Sequence, residues 1–305
     1  MLTSFSPWAI SRRTALTRLG AGALGVALTS QRHVLAQEAS PAVTLPPEGR
    51  YARVNEVDLY YELRGDPAGP PVLLLHGGLG STEDWANVWP ALADAGYRVV
   101  LVDSRRHGRS GWGSAPLSYE LFTADTVVLL DRLGIEATDV VGWSDGAVIG
   151  LVLAINYPGR LRRVVAYGAN FTPEGIYPDA PHPSDQLPPF EDLVAAYQRL
   201  SPQPERFEEL AEELFALYTV APNFTEEELG SVTVPVLILD GAEEEFITPE
   251  HTRRLAEQIP GSELIFMPGT GHFAPRAKPA EFARIALAFL TGEAVGTPTA
   301  ATPSA

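Results

Sequence analysis

The sequence predicts an α/β protein, with a mostly parallel central sheet, helices on both faces of that sheet and a small helical cap insertion. Three observations support this fold class. Short β-rich runs alternate with helical patterns along most of the chain, which is typical of a parallel sheet. Runs such as Val72–Leu75 are continuously apolar, as a strand must be when both faces of its sheet are covered. The alternation stops at about residue 171 and resumes near residue 230.

The predicted elements follow one another in a regular order. Strands are predicted at residues 57–64, 72–75, 97–102, 138–141, 163–167, 234–239 and 263–267. Helices are predicted at about 82–95, 119–133, 145–157, 251–258 and 280–290. The turn residues Gly65, Asp66 and Pro67 end the first strand. Pro158 stops the third helix, because proline has no N–H with which to continue it.

The interruption divides the predicted core into residues 51–170 and 231–291. Residues 171–230 hold a proline-rich run followed by a helical pattern that includes Phe207 and Leu210. The glutamates on the other face of that helix predict a solvated surface rather than a metal site. We therefore expect a cap or lid of about 60 residues over the sheet.

The first 36 residues resemble an export signal. The pair Arg12-Arg13 precedes a weakly apolar, glycine-rich stretch, Leu19–Leu28, and small residues stand at Val34–Ala36, where a signal peptidase would cut. That stretch is too short to span a membrane, for which roughly 20 residues are needed. The pattern is typical of a bacterial twin-arginine signal and predicts a periplasmic or secreted protein. A general secretory signal or a frayed N-terminal helix are the alternatives.

The amino-acid composition disfavours or excludes several classes of function. The formal net charge is −16, which disfavours binding to nucleic acid or to anionic lipid. The chain has no cysteine, which excludes disulfides, thiolate catalysis and cysteine-bound zinc.

Residues 37–50 are predicted to be a proline-rich linker and residues 292–305 a disordered low-complexity tail. No integral membrane span is expected, and the oligomeric state is left open.

The sequence Gly-Trp-Ser-Asp-Gly at 142–146 lies directly between a predicted strand and a predicted helix. This Gly-x-Ser-x-Gly pattern is typical of a nucleophile elbow, in which Ser144 occupies a strained turn and a side chain at either flanking glycine would collide with backbone. Upstream, His76-Gly77-Gly78 follows a buried strand. The N–H groups of Gly78 and Asp145 are predicted to form an oxyanion hole.

Two further loops carry polar residues after predicted strands. His272 lies in Gly-Thr-Gly-His-Phe after the last strand, and an acidic loop follows the strand before it. The chain order of serine, acid and histidine is the order expected for an elbow of this kind. Asp240, Glu243 and Glu244 are all possible acids of a triad with Ser144 and His272.

Five segments together resemble the α/β-hydrolase superfamily. They are HGG at 76–78, DSRRHGRS at 103–110, GWSDG at 142–146, YGANFTPE at 167–174 and PGTGHF at 268–273. The resemblance covers residues 51–291, and the elbow followed by YGAN is similar to the valacyclovir-hydrolase branch, whose members cleave esters of small amines and acids. It implies that Glu244 is the triad acid, at a position where the family usually has aspartate.

The resemblance also implies a substrate-binding role for the Asp145 carboxylate, which would bind a substrate ammonium group. Capping of the following helix is the alternative. Trp143 and Leu79 are further predicted substrate contacts because they flank Ser144 and Gly78.

Together, these features predict an exported serine hydrolase that cleaves small carboxylic esters through an acyl-enzyme, with no metal or organic cofactor and with preference for aminoacyl esters. A lactonase, a carbon–carbon bond hydrolase or a cofactor-free peroxidase on the same triad are alternatives. Haloalkane dehalogenases and epoxide hydrolases need a carboxylate nucleophile, whereas position 144 is serine. A non-catalytic binding protein on this scaffold is the remotest alternative.

Overall fold

The computed structural model describes residues 49–182 and 184–293. Its strands are β1 Arg50–Val54, β2 Val57–Gly65, β3 Pro71–Leu75, β4 Arg98–Val102, β5 Thr138–Trp143, β6 Leu161–Tyr167, β7 Val236–Gly241 and β8 Glu263–Met267. Its helices are α1 Trp89–Asp94, α2 Tyr119–Arg132, α3 Asp145–Asn156, α4 Phe190–Leu200, α5 Phe207–Tyr218, α6 Glu226–Gly230, α7 Pro249–Gln258, α8 Ala274–Ala277 and α9 Pro279–Thr291. The predicted signal at 1–36, the linker up to residue 48 and the tail from residue 294 lie outside the described residues.

Strands β1 to β8 form one sheet in the order β1-β2-β4-β3-β5-β6-β7-β8. Strand β2 runs antiparallel to β1 and β4, and the neighbouring pairs from β4 to β8 are parallel. The mostly parallel sheet predicted from the sequence is therefore confirmed. The chain crosses from one side of the sheet to the other where β3 and β5 are neighbours, and ligands of open α/β sheets bind beyond the carboxyl ends of strands at such a point.

The structure differs from the prediction at the first strand and at the first helix. Strand β1 was not predicted, because its side chains are largely exposed at the sheet edge and carry no apolar alternation; Tyr51, for example, is 60% exposed. The predicted helix at 82–95 is divided into a 3₁₀ turn, Thr82–Trp85, and the helix α1. Pro90 lies in the first turn of α1, where its missing N–H costs no hydrogen bond.

The core has two layers, one on each face of the sheet. In β3, Leu73 and Leu75 pack into the layer covered by α2 and α3, whereas Val72 and Leu74 pack into the layer covered by α1 and α9. This division follows from the alternation of side chains along a strand. Helices therefore cover both faces, as predicted, and each of these four side chains is at most 1% exposed.

Helices α4, α5 and α6 lie in the predicted cap insertion, residues 171–230, which is called the cap segment below. The Trp112 indole N–H donates to the Tyr197 hydroxyl at 3.2 Å. Arg106 forms an ion pair with Glu213 of α5. Side chains from the core therefore hold the cap segment against the end of the sheet where the strands terminate. Among residues 49–182 and 184–293, no helix is long and apolar enough to cross a membrane.

Candidate active site

Ser144 occupies a strained turn between β5 and α3. Its φ is 54° and its ψ is −117°, a backbone conformation that residues other than glycine rarely adopt. A Cβ on Gly146 would overlap the Leu75 carbonyl, and one on Gly142 would overlap the backbone of Gly146. Both glycines are therefore required by close backbone packing, as the sequence predicted. The turn leaves the Ser144 side chain half-buried at the carboxyl end of β5.

Two backbone amides beside Ser144 are free to bind an anion. Within the described chain, neither the Gly78 nor the Asp145 N–H donates to a protein acceptor. Gly77 approaches Ser144 closely, since a Cβ on Gly77 would lie 3.1 Å from the Ser144 Cβ. Asp145 is the first residue of α3, and the N-terminus of a helix carries partial positive charge. The two predicted donors are therefore unpaired among the described residues and belong to segments next to Ser144.

His272 lies in the loop after β8 and is only 6% exposed. Its backbone N–H donates to Glu245 Oε2 at 2.6 Å, and its ring packs 4.7 Å from that of Phe246. On the side of β6, a Cβ on Gly168 would lie only 2.9 Å from the imidazole. Since Ser144 N–H donates to the carbonyl of Tyr167, the residue before Gly168, the imidazole and the serine lie at the same end of the sheet.

Glu244 is the acid that contacts His272. Its Oε1 lies 2.8 Å from the imidazole Nδ1 and also accepts the Phe246 N–H at 2.9 Å. The Nδ1 and Oε1 atoms are close enough for a hydrogen bond but are not aligned for one, and such bonds often align only in the substrate complex. Asp240 accepts hydrogen bonds from the Gly241 N–H and the Thr252 hydroxyl, and Glu243 is exposed.

Burial sets the protonation behaviour of this pair. Burial raises the pKa of Glu244 to about 7, although a hydrogen bond from Asp240 and the Phe246 amide oppose that change. Burial also lowers the pKa of His272, against the opposite effect of the acids Asp240, Glu245 and Asp145. Because a carboxylate can only accept, the proton of a neutral His272 belongs on Nδ1, and Nε2 is left as the basic nitrogen.

Known proteins with similar sequences or structures show the family. The family model described as the alpha/beta hydrolase fold matches residues 70–200. The chain is 31% identical over 268 residues to the protein RutD of Caulobacter sp. (strain K31), which bears the name of a carbamate hydrolase; the match covers 77% of this chain and 97% of RutD. The chain belongs to the α/β-hydrolase family. It is a hydrolase, as predicted.

Two further proteins are similar to this α/β-hydrolase. The rhodomycin D methylesterase DnrP of Streptomyces peucetius is 28% identical over 272 residues, which is 73% of this chain and 91% of DnrP. The crystal structure of the enol-lactonase from Burkholderia xenovorans LB400 matches with a TM-score of 0.63 at 23% identity, over 79% of this chain and 100% of the lactonase. The second likeness supports the fold alone.

The Asp145 carboxylate of this α/β-hydrolase is held by two tyrosines. Its Oδ1 accepts the Tyr119 hydroxyl and its Oδ2 accepts the Tyr218 hydroxyl, each at 2.9 Å. Tyr218 comes from α5 of the cap segment, and both its hydroxyl and Asp145 Oδ2 crowd the Cα of Gly78. The carboxylate therefore lies over the predicted oxyanion hole and does not cap α3. Sequence reasoning missed both tyrosines, because Tyr218 reads as part of an apolar helix face and Tyr119 as the start of a helix.

The two other predicted substrate contacts differ in their surroundings. Leu79 lines a cavity of about 380 Å³ between the loop after β3 and helix α4, and its contact with substrate stays a prediction. The Trp143 ring is only 3% exposed and packs edge-on against Trp85 and Phe273 in the core. That Trp143 contacts substrate stays a prediction: its side chain lies on a covered face of the sheet, and its ring centroid is 6.2 Å from that of His272.

The remaining histidines are dispersed. His107 is fully buried beside His76, with ring centroids 5.1 Å apart, His182 lies 3.0 Å from Asp179 on the surface, and His251 stacks on Phe171. No group of three or more metal-binding side chains occurs in the described part of the chain.

Proposed function

We propose that this protein is a serine hydrolase that cleaves small carboxylic esters, with Ser144 as nucleophile, His272 as general base and Glu244 as the acid that orients His272. The observation that supports this most strongly is the 2.8 Å contact between His272 Nδ1 and Glu244 Oε1, at the same end of the sheet as the strained Ser144. A histidine whose Nδ1 faces a carboxylate presents a basic Nε2 to a nucleophile.

In the proposed reaction, His272 Nε2 removes the Ser144 hydroxyl proton as Oγ attacks the ester carbonyl carbon. The Gly78 and Asp145 N–H groups stabilise the tetrahedral oxyanion, a contribution worth about 3–4 kcal/mol for one donor. His272 then protonates the departing alcohol, and an acyl-enzyme remains. Water, activated by the same histidine, releases the acid and restores Ser144.

An ester is favoured over the other substrates of this family by the nucleophile. Epoxide and haloalkane hydrolysis on this fold proceed through a carboxylate nucleophile, whereas position 144 is serine. The similarity to a Streptomyces methylesterase supports ester cleavage as well.

The test is covalent labelling by a fluorophosphonate, which reacts only with an activated serine. Ser144→Ala should abolish labelling, and the exposed Ser231→Ala should not change it. Ser144→Ala and His272→Ala should each lower kcat for p-nitrophenyl esters by about 10⁴-fold, and the double variant should be scarcely worse, because the residues act as a unit. Multiplicative losses in the double variant would refute the triad.

A preference for aminoacyl esters is part of the proposal and depends on Asp145. A buried carboxylate over the oxyanion hole would attract a cationic acyl group and repel an anionic one. Asp145→Asn keeps the size of the side chain and removes its charge. It should lower kcat/KM for aminoacyl esters at least ten times more than for neutral esters of equal size. Equal losses on both substrates would remove the preference from the proposal.

Export by the twin-arginine route is also proposed, from the Arg12-Arg13 pair in the N-terminal segment. Replacement of both arginines by lysine should leave the protein in the cytoplasm of a bacterial host, and fractionation with immunoblotting would show it. Unchanged export of that variant would exclude the route.

A further inference from the structure

A second carboxyl group lies behind the proposed triad acid. Asp240, near the end of β7, is 0% exposed, and Glu244 is 8% exposed. Asp240 Oδ1 accepts the Gly241 N–H at 2.9 Å, and Oδ2 is bonded to the Thr252 hydroxyl at 2.7 Å. The carboxyl groups of Asp240 and Glu244 are themselves in hydrogen-bonding contact. The acid position is therefore a buried pair of carboxyl groups rather than a single one.

Two carboxylates in contact and shielded from water cannot both remain ionised, because their repulsion adds to the cost of desolvating each charge. One buried oxygen of the pair also lacks a conventional donor. Glu244 Oε2 has no N–H or O–H partner within the described residues, whereas Oε1 accepts the Phe246 N–H and lies 2.8 Å from His272 Nδ1. A proton held between the two carboxyl groups would relieve the repulsion and give Oε2 a donor.

The surroundings favour Asp240 as the group that keeps the proton. Glu244 faces His272, which becomes a cation during the proposed reaction. A negative charge on Glu244 is therefore stabilised by that cation. Asp240 is separated from bulk water, and burial followed by the proximity of Glu244 raises its pKa well above the usual range. The Thr252 hydroxyl can donate to Asp240 or accept from it, so a protonated Asp240 keeps all its partners.

Other titratable groups surround the pair. They are Glu245 in the same loop, His272 after β8, Tyr167 on β6, and Tyr177, His182 and Asp185 in the cap segment. Of these, Glu245 adds a further negative charge next to Glu244 and raises its pKa. A third acid nearby makes it still less favourable for Asp240 to ionise.

We propose that Asp240 is a positioning residue that stays protonated at neutral pH and donates its hydrogen bond to Glu244, so that Glu244 is the single anion facing His272. This inference rests on the proposed triad. It assigns to Asp240 a role opposite to that of a triad acid, since Asp240 acts in its neutral form.

The first test compares Asp240→Asn with Asp240→Leu in pH profiles of kcat/KM for a neutral p-nitrophenyl ester. The wild-type profile should fall below about pH 7, as Glu244 takes up a proton. In Asp240→Asn the amide replaces the hydrogen-bond donor, and the acidic limb of the pH profile should therefore stay in place. Leucine removes the donor, and the limb should move up by about one to two pH units, which corresponds to one hydrogen bond to a charged group.

Asp139→Asn is the matched control, since Asp139 is a buried acid at the start of β5, paired with Arg162. It should leave the pH limb in place. If Asp240 were ionised, Asp240→Asn would remove a repelling charge and move the limb to lower pH, which would overturn the proposal. A limb that does not move in Asp240→Leu would overturn it as well.

A second test does not depend on activity and remains decisive if the leucine variant fails to fold. The infrared spectrum of the resting enzyme at pH 8, where Glu244 is ionised, should contain a protonated carboxylic acid band that is lost in Asp240→Asn and retained in Asp139→Asn. Absence of an Asp240-dependent band would refute the proposal. Failure of the triad itself would appear separately, as the absence of fluorophosphonate labelling at Ser144.

Discussion

Single residues determine whether this site can activate a serine. Glutamate occupies the position where the α/β-hydrolase family usually has aspartate, and its longer side chain still reaches His272 Nδ1 at 2.8 Å. The loop holds it there through the Phe246 N–H, while the neighbouring Glu245 binds the backbone N–H of His272. Two consecutive glutamates therefore position His272: Glu244 contacts its ring, and Glu245 accepts its backbone N–H.

The different positions of Glu243 and Glu244 predict different effects on activity. Glu244→Gln should lower kcat by at least about 10³-fold, because an amide facing Nδ1 favours the wrong tautomer, and a change of this kind in a triad costs about 10⁴. Glu243→Gln, on an exposed side chain, should change kcat by less than about twofold. Steady-state kinetics with thermal melts would separate catalysis from folding. If Glu243→Gln were the more damaging substitution, Glu243 rather than Glu244 would be the triad acid.

At the scale of elements, the junction of β5 and α3 controls the geometry of Ser144, the proposed nucleophile. Gly146 lies in the first turn of α3, next to the end of β3, and the Leu75 carbonyl occupies the space that a side chain would need. The obstacle is backbone, which cannot move without disturbing the sheet. The elbow is therefore tied to the pairing of β3 with β5.

Gly146→Ala tests that dependence. The added methyl should destabilise the protein by about 1–3 kcal/mol, the usual cost of overpacking a core, and should displace Ser144 enough to reduce fluorophosphonate labelling. Gly159→Ala is the control, because a Cβ there meets nothing within 4 Å. Urea unfolding of both variants measures the difference. Equal stability of the two variants would contradict the close approach of α3 to β3.

The cap segment is fastened to the core by a residue in an uncommon conformation. Arg106 has a φ of 68°, and its guanidinium donates to the carbonyls of Trp112 and Ala115 and to Glu213 of α5. Glu213 belongs to the acidic run that the sequence predicted to be a solvated helix face. One member of that run instead joins the cap segment to the core, because the helix places it opposite a buried arginine.

For the whole molecule, buried histidines connect stability to pH. Burial lowers the pKa of His107 to about 3 and that of His251 to about 4. The unfolded chain binds protons at these histidines below about pH 6.5, whereas the folded protein does not. Their contribution to stability is therefore complete above that pH and is lost as the pH falls. Buried acids such as Asp240 have raised pKa values and act in the opposite direction, since folding favours their protonated form.

Comparison with a variant isolates one histidine from these opposing effects. Between pH 7.5 and pH 5, the wild type should lose about 2 kcal/mol more of its free energy of unfolding than His107→Phe, as follows from the two pKa values. Phenylalanine suits the site because the His107 ring packs against Phe122 and its Nε2 has no partner. Urea denaturation at several pH values gives the difference. Parallel pH dependences would mean that His107 becomes protonated in the folded protein.

The sequence by itself determined the fold class and the position of the elbow. Continuous apolar runs such as Val72–Leu75 must be covered on both sides, which requires a sheet between two helical layers. Gly142 and Gly146 indicated the strained turn, since only glycine permits such close backbone contacts. These features are local, so the residues that produce them are neighbours in the chain and can be read from it.

Only the tertiary structure decided which of three acids meets His272 and what surrounds the nucleophile. Asp240, Glu243 and Glu244 lie within five residues of one another, but the end of β7 and the turn after it bury Asp240 and Glu244 and expose Glu243. Tyr218 reaches Asp145 from a helix 73 residues further along the chain. Contacts of this kind depend on how separate elements pack, and the sequence pattern of one segment does not indicate which distant segment packs against it.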